Sequence, residues 1–267
     1  MKHMIVGVVC AVVAASSVFA QDAAKKGIGS NITPEQRAKN LARMYARTGG
    51  MIRRADALPG EIVFLNAQKT VATEELKKAV ENYGRAIRAT AKIVERGEVK
   101  MAEALKTQPK DGAAIAVLLV DDAEYDVPMF AAPEKGWAVV NVAGLKKDAK
   151  SDAFVAARTS KEIIRAALYV CGGANSQYEG SLMRAVKEPK ELDDLMNSNA
   201  PMDVVGRTMT YLPKFGVSPN PYTTYYMAVQ QGWAPPPTND VQKAIWEKVH
   251  AEPSNPIKIK YDPKKGM

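Results

Sequence analysis

The run 113–120, which reads AAIAVLLV, is the strongest constraint that this sequence places on a fold. It is almost unbroken in apolar character and is followed at once by the charged pair Asp121-Asp122. Such a run is typical of a strand that is buried on both faces, as happens when helices cover both sides of a largely parallel sheet. The run therefore indicates a strand inside a layered domain.

The flanking segments complete an α/β pattern. Residues 61–67 and 137–143 are short apolar runs that predict further strands, and Thr73 begins a helical pattern. Asp152 is predicted to cap a helix that runs to about residue 170. The stretch 92–99 fits either the end of the helix that begins at Thr73 or a short strand. This order predicts an α/β (α+β) fold with a mixed sheet and packed helices.

Residues 1–20 have the order of a cleavable signal peptide. A short cationic start precedes an uncharged apolar run, and Val18-Phe19-Ala20 supplies the small or apolar residues of a cleavage site. The run is shorter than the roughly 20 residues that a membrane-spanning helix needs, and no later segment is apolar enough to span a bilayer. We predict an exported protein, periplasmic or extracellular, whose mature chain begins near Gln21.

Charge and cysteine content exclude several classes of function. The formal net charge of +8 favours anionic surfaces in general, but no dense Lys/Arg run indicates nucleic-acid binding. Cleavage would remove His3 and Cys10 and leave one histidine, His250, and one cysteine, Cys171. A disulfide framework and a multi-cysteine metal site are thereby excluded. We expect Cys171 to be a small buried apolar residue.

The mature chain is predicted to have three parts. Residues 21–60 form an N-terminal segment with a helix that begins at Thr33, where Gln36 completes a capping box. Residues 61–200 form the core. Residues 201–267 are rich in Pro, Tyr and Trp and predict an ordered, mostly irregular extension with one helix near 241–250.

The segment 158–183 is the most informative part of the chain. It places a polar stripe on one side of the predicted helix, and Gly172 follows where that helix ends. By spacing alone this is an amphipathic helix with a solvated charged face and a glycine C-cap. The members of the stripe are Arg158, Lys161, Glu162, Arg165 and Tyr169.

The same segment resembles the metzincin zinc proteases, in particular the archaemetzincins, whose helix reads R-x-x-K-E-x-x-H-E-x-x-H-x-x-G-x-x-H-C, then four residues and C-x-M. Without a gap, Arg158 and the pair Lys161-Glu162 match the first positions, Gly172 the turn glycine and Met183 the methionine beneath the metal. The resemblance covers roughly residues 61–200 and implies the metzincin order of strands and helices.

The positions that carry the chemistry differ. Where that family has its zinc histidines, this chain has Arg165, Tyr169 and Asn175, and Ala166 replaces the general-base glutamate. Its two cysteines correspond to Ser176 and Ser181. Catalytic zinc needs three protein ligands and hydrolysis needs a base. We therefore predict no bound metal, no cofactor and no zinc-dependent proteolysis.

Arg165 has two interpretations. The guanidinium could replace the charge of the metal, paired with Glu162 one turn earlier and bonded to Tyr169 and Asn175. Alternatively, Arg165 points to solvent. A fully exposed guanidinium would exclude the first interpretation.

Two further groups of residues are candidate sites. Asp121, Asp122, Glu124 and Asp126 form an acidic cluster that could hold Ca²⁺, although it lacks the spacing of an EF-hand and more often would be a solvated loop. Aromatic residues in the extension suit a binding surface, and equally suit packing of the extension on its own domain. They are Tyr222, Tyr225, Tyr226 and Trp233.

The sequence thus predicts a non-catalytic, metzincin-like exported protein that acts by binding a peptide, an envelope component or a partner protein. An enzyme with an unrecognised non-zinc site is one alternative. The other is a structural envelope protein whose basic surface attracts anionic polymers.

Overall fold

The computed structural model describes residues 33–195 and 202–251. The predicted signal peptide, with His3 and Cys10, lies outside these residues. The helices are α1 (Pro34–Thr48), α2 (Thr73–Ile87), α3 (Met101–Thr107), α4 (Val142–Leu145), α5 (Asp152–Val170), α6 (Met202–Tyr211), α7 (Tyr225–Gln230) and α8 (Asp240–Ala251). The strands are β1 (Met51–Arg53), β2 (Ile62–Ala67), β3 (Ala91–Arg96), β4 (Ile115–Val120), β5 (Met129–Ala132), β6 (Trp137–Asn141) and β7 (Tyr222–Thr224).

The described chain forms two compact units. The first unit contains residues 56–195 and 202–221, and the second contains 33–55 and 222–251. The second unit joins parts of the predicted segments 21–60 and 201–267, because β1 pairs antiparallel with β7 and places Met51 opposite Thr224. Residues 202–221, which are part of the predicted extension, belong to the first unit.

The first unit is built on a five-stranded sheet with the order β3-β2-β4-β6-β5. The first four strands in this order run parallel, and β5 pairs antiparallel with β6 at the edge. Every residue of β2, β4 and β6 is buried, as the apolar runs in the sequence predict for strands covered on both faces. The predicted α/β fold with a mixed sheet is confirmed.

Two apolar layers cover the sheet. One face packs against α2 and α5 and includes Phe64, Val117 and Ile163, and the other packs against α3 and includes Leu65 and Met101. The predicted strands 61–67, 113–120 and 137–143 therefore share one sheet that packs against the helix 152–170. That arrangement is the one that the resemblance to metzincins requires.

The structure assigns the segment that the sequence left open and adds two elements that the sequence did not predict. Helix α2 ends at Ile87, and 91–96 is the strand β3, which answers the open question about 92–99. Helix α3 and strand β5 were not predicted. Strand β5 reads MFAA, which has neither the alternation nor the length that marks a strand in a sequence.

The second unit has a small core of its own. Thr33 caps α1 by accepting a hydrogen bond from the Gln36 backbone, and the Gln36 side chain accepts one from the Thr33 N–H, so the predicted capping box is present. Helix α8 agrees with the helix predicted near 241–250. The sequence did not predict β7 or α7, because each is too short to show a period.

Two other predictions concern single features. Cys171 is completely buried, as expected. Among the described helices, none combines the length and the apolar character needed to cross a membrane.

Candidate functional site

The polar stripe on α5 is buried rather than solvated. Arg158, Lys161, Glu162 and Arg165 are each at most 5% exposed. The segment that follows the helix, residues 171–195, supplies most of the groups that these side chains contact. Spacing alone favoured a solvated charged face, and that interpretation is wrong because backbone carbonyls in the adjoining loops take the place of water.

Arg158 begins the stripe and donates four hydrogen bonds from its guanidinium. Its Nε and Nη2 atoms donate to the two carboxylate oxygens of Asp193 at 2.8 and 2.7 Å, and its Nη1 atom donates to the carbonyls of Leu145 and Lys147. This two-point pairing is the strong form of a charge-assisted hydrogen bond. One turn later, Lys161 Nζ donates to the Leu192 carbonyl at 2.6 Å.

Arg165 lies at the centre of the candidate site. Its Nη1 atom donates to the carbonyls of Leu182 at 2.5 Å and Arg184 at 2.7 Å. Its Nε atom lies 2.8 Å from Glu162 Oε2, in an ion pair that lacks hydrogen-bond geometry. The guanidinium is 5.7 Å from the centre of the Tyr169 ring, a cation–π distance.

Tyr169 and Asn175 were expected to bond to the Arg165 guanidinium, and Ala166 replaces the glutamate of the family. The Tyr169 hydroxyl donates to the Asn175 side-chain carbonyl, so these two residues bond to each other rather than to the guanidinium. Ala166 is completely buried in the core. The prediction that Arg165 pairs with Glu162 is confirmed, while hydrogen bonds from Arg165 to Tyr169 and Asn175 are replaced by those to the carbonyls.

Burial and charge displace several pKa values in this cluster. Burial raises the pKa of Glu162, and the Arg165 charge opposes that effect. The hydrogen bonds from Arg158 lower the pKa of Asp193, whereas burial lowers the pKa of Lys161. Burial also raises the pKa of the Tyr169 hydroxyl. The cluster is thus held by cation-to-oxygen contacts in a poorly hydrated region.

The turn after α5 is fixed by backbone geometry. Gly172 has a φ of +85°, and a Cβ atom there would overlap the Tyr211 ring, so the position requires glycine. Met183 is completely buried, and its carbonyl accepts a hydrogen bond from the Ser176 N–H at 2.8 Å. The two positions that match the turn glycine and the methionine are therefore structural.

These residues do not fit the zinc ion that the resemblance implies. The first ligand position holds a permanent cation, whose charge repels a metal, and the base position holds a methyl group buried in the core. Among the described residues, no group of three His, Cys, Asp or Glu side chains is placed to hold a metal.

Asp193 is the ion-pair partner of Arg158, and the sequence did not single it out. It lies in the run Glu191-Leu192-Asp193-Asp194, within a short 3-10 helix. The sequence could indicate only that Arg158, if buried, needs an anionic partner somewhere in the chain. The spacing of 35 residues between Arg158 and Asp193 gave no way to choose that anion.

The acidic cluster does not act as a unit. Asp122 is buried, and its carboxylate accepts hydrogen bonds from the backbone N–H groups of Met101 and Glu124. Asp121 pairs with Lys146 at 2.8 Å, while Glu124 and Asp126 are exposed. The calcium hypothesis is not supported, because Asp122 directs its oxygens to the backbone at the start of α3.

The aromatic residues proposed for binding all belong to the second unit. Tyr225 is completely buried in its core with Val229 and Ile245, and its hydroxyl donates to the Pro235 carbonyl. A surface role is therefore wrong for Tyr225. Tyr222, Tyr226 and Trp233 are half-buried, and their role in binding stays a prediction.

Strand β5 adds a feature that the sequence did not predict. Within the described chain, its only neighbour in the sheet is β6. The Asn141 N–H donates to the Pro128 carbonyl, so Pro128 and Asn141 form a hydrogen-bonded pair. In an antiparallel ladder hydrogen-bonded pairs alternate with non-bonded ones. The N–H and C=O groups of Met129 and Ala131 therefore point away from β6. Val127 and Phe130 beside this edge are 45% and 42% exposed.

Comparisons with known proteins find similarity only at the level of structure. No protein family and no curated protein matches the sequence. A zinc-dependent peptidase from Methanocorpusculum labreanum is 14% identical, with a TM-score of 0.44, over 56% of this chain and 100% of that one. Archaemetzincin from Methanopyrus kandleri is 14% identical, with a TM-score of 0.44, over 57% and 96% of the two chains. Archaemetzincin from Archaeoglobus fulgidus is 12% identical, with a TM-score of 0.42, over 55% and 99%.

We expect Arg165→Met to lower the free energy of unfolding by about 3–5 kcal/mol, because it leaves Glu162 buried without its cation. Urea unfolding measures this change. Arg184→Met is the matched control, since only the backbone carbonyl of that residue enters the cluster, and it should change stability by less than about 0.5 kcal/mol. The double variant Arg165→Met/Glu162→Leu should recover part of the loss. Equal stability of the Arg165→Met and Arg184→Met variants would contradict the assignment.

The Asp193 pair predicts a dependence of stability on pH. Because Arg158 lowers the pKa of Asp193 in the folded state, the pair stabilises the protein above the unfolded value of about 3.9. That contribution is lost as the pH falls through the folded-state pKa. Asp193→Asn should therefore cost about 3 kcal/mol near pH 7 and progressively less in acid.

Urea titrations at several pH values test this expectation. Asp194→Asn is the control, because Asp194 is the exposed neighbour of Asp193. A difference between the Asp193→Asn variant and the parent that stays constant down to pH 3 would show that Asp193 does not contribute as an ionised partner.

Proposed function

We propose that this chain is an exported, non-catalytic protein with a metzincin-like core, and that it binds an extended peptide along strand β5. The observation that carries the non-catalytic part is the buried Arg165 guanidinium at the position that corresponds to the first zinc ligand. Its Nη1 and Nε atoms already contact Leu182, Arg184 and Glu162. The signal-like order of residues 1–20 supports export.

The edge of β5 supports peptide binding. Exposed edge strands are commonly protected by charged residues, by proline or by a bulge, because their unpaired backbone groups attract other strands. Strand β5 contains no charged residue and no proline between Met129 and Ala132. An extended peptide that adds to such an edge gains backbone hydrogen bonds, and its side chains enter neighbouring pockets.

The surroundings of the edge favour an apolar peptide side chain. The Phe130 and Trp137 rings pack with their centres 5.4 Å apart, and Phe130 remains 42% exposed. Val127, which precedes β5, is 45% exposed. Aromatic surface next to free backbone donors and acceptors provides both the affinity and the side-chain preference of a peptide-binding groove.

We expect the purified mature protein to contain far less than one equivalent of zinc and to leave a fluorescent casein substrate intact when zinc is added. The reason is that a guanidinium excludes a cation from this position. Elemental analysis and the casein assay measure both properties. Zinc retained at one equivalent, and lost in a Tyr169→Phe/Asn175→Ala variant, would overturn the non-catalytic proposal.

Peptide binding is tested at Ala131. Peptides selected from a phage-displayed library against the full chain should bind with a Kd that the Ala131→Pro substitution raises by about tenfold or more. Proline at this position removes an N–H that points away from β6, so the hydrogen bonds between β5 and β6 are retained.

Ala131→Val is the matched control, because it changes the side chain and keeps the N–H. Its affinity should stay within about threefold of the parent. Thermal melting of both variants checks that the sheet is intact. A library that yields no peptide, or peptides that bind the Ala131→Pro variant as tightly as the parent, would exclude this edge as the binding surface.

A further inference from the structure

A cavity of about 520 Å³ opens in the first unit, away from the Arg165 cluster. It lies at the carboxyl ends of β2, β4 and β6, where Val71, Asp121 and Val142 form part of its wall. The first two turns of α5, from Asp152 to Thr159, form another part. Arg165 and Tyr169 lie on later turns of the same helix and are not in the wall.

The position of the cavity in the sheet is one that ligands commonly occupy. The chain leaves β2 through α2 to reach β3 on one side, and it leaves β4 to reach β6 on the other side. Between β2 and β4 the order of strands therefore reverses. In open parallel sheets, ligands bind outside the carboxyl ends of the strands at such a reversal.

The wall of the cavity has an excess of negative charge. Asp121 is compensated by Lys146, whose Nζ atom lies 2.8 Å away. Glu75 and Asp152 also line the cavity, and within the described chain neither has an ion pair. The chain as a whole has a formal net charge of +8, so this negatively charged wall differs in sign from the protein around it.

Thr159 gives an independent indication of a ligand. It is 5% exposed and lines the cavity, and no side chain or backbone group of the described residues forms a hydrogen bond with its hydroxyl. Helical threonines commonly bond the carbonyl one turn earlier. With the rest of the residue buried, the Thr159 hydroxyl is available only to what occupies the cavity, either water or a polar group of a ligand.

We propose that this cavity binds a small organic cation with an alkyl body, of which an alkyl diamine is the simplest form. Glu75 and Asp152 would pair with the ammonium groups, and the Thr159 hydroxyl would accept one ammonium N–H. Val71, Val142 and Val155 in the wall would contact the alkyl chain. This site is separate from β5, so it does not depend on the proposed peptide binding.

The probe is 1,4-diaminobutane, titrated into the full chain by calorimetry. We expect saturable binding that Glu75→Gln and Asp152→Asn each weaken by about threefold to fivefold. Thr159→Val, which keeps the shape of the side chain, should weaken it by about fivefold. Because Asp152 also begins α5, Glu75→Gln repeats the test on another helix, and thermal melting checks each variant.

The controls separate a cation site from general attraction. Glu103→Gln removes an exposed carboxylate on α3, which packs on the opposite face of the sheet, and should leave the affinity unchanged. The uncharged analogue 1,4-butanediol should bind at least about tenfold more weakly than the diamine. Absence of diamine binding, equal weakening by Glu103→Gln, equal affinity for the diol, or tighter binding of inorganic phosphate would each overturn the proposal.

Discussion

The first unit depends on the contacts that three buried cations of α5 make with backbone carbonyls. Arg158, Lys161 and Arg165 donate to carbonyls in the segments 145–147 and 182–192 beside the helix. The carbonyls of Leu182 and Arg184 lie outside any helix or strand, so the Arg165 guanidinium supplies their donor. A buried carbonyl without a donor is unfavourable, and so is a buried cation without an acceptor. Each group satisfies the other, which explains how an irregular segment packs closely on a helix.

Sequence patterns predict some of these features well because they follow from one property at a time. Strand β4 is apolar throughout, and β2 and β6 are apolar except for Asn66 and Asn141, which indicates burial on both faces. The burial of the charged stripe on α5 cannot be predicted from spacing, because charged residues at helical spacing ordinarily face water. What buried it was a set of carbonyls, which any residue type supplies and which no sequence pattern can therefore mark. Pairing of β1 with β7 was hidden for a similar reason, since the partners are short and more than a hundred residues apart.

A guanidinium and a metal ion impose different requirements on the chain around them. Zinc attracts deprotonated side chains, so its site depends on a few residue types and changes with pH. Arginine keeps its charge and donates several hydrogen bonds in a fixed plane, so backbone oxygens suffice as partners. Arg165 uses this property: it contacts one acid, Glu162, and two main-chain carbonyls. The turn at Gly172 and the buried Met183 are therefore held by backbone geometry and packing, with no need of a metal ion.

The two ends of α5 therefore serve different purposes. Toward its carboxyl end, the charges of Glu162 and Arg165 are matched within the fold, and changes there act on stability. At its amino end, Asp152 and Thr159 face a cavity, and the described residues leave both without a bond from a side chain. Side chains that the fold does not use for its own stability are the ones free to select a ligand. A ligand at the start of α5, or a peptide along β5, would therefore use groups that the described fold leaves available.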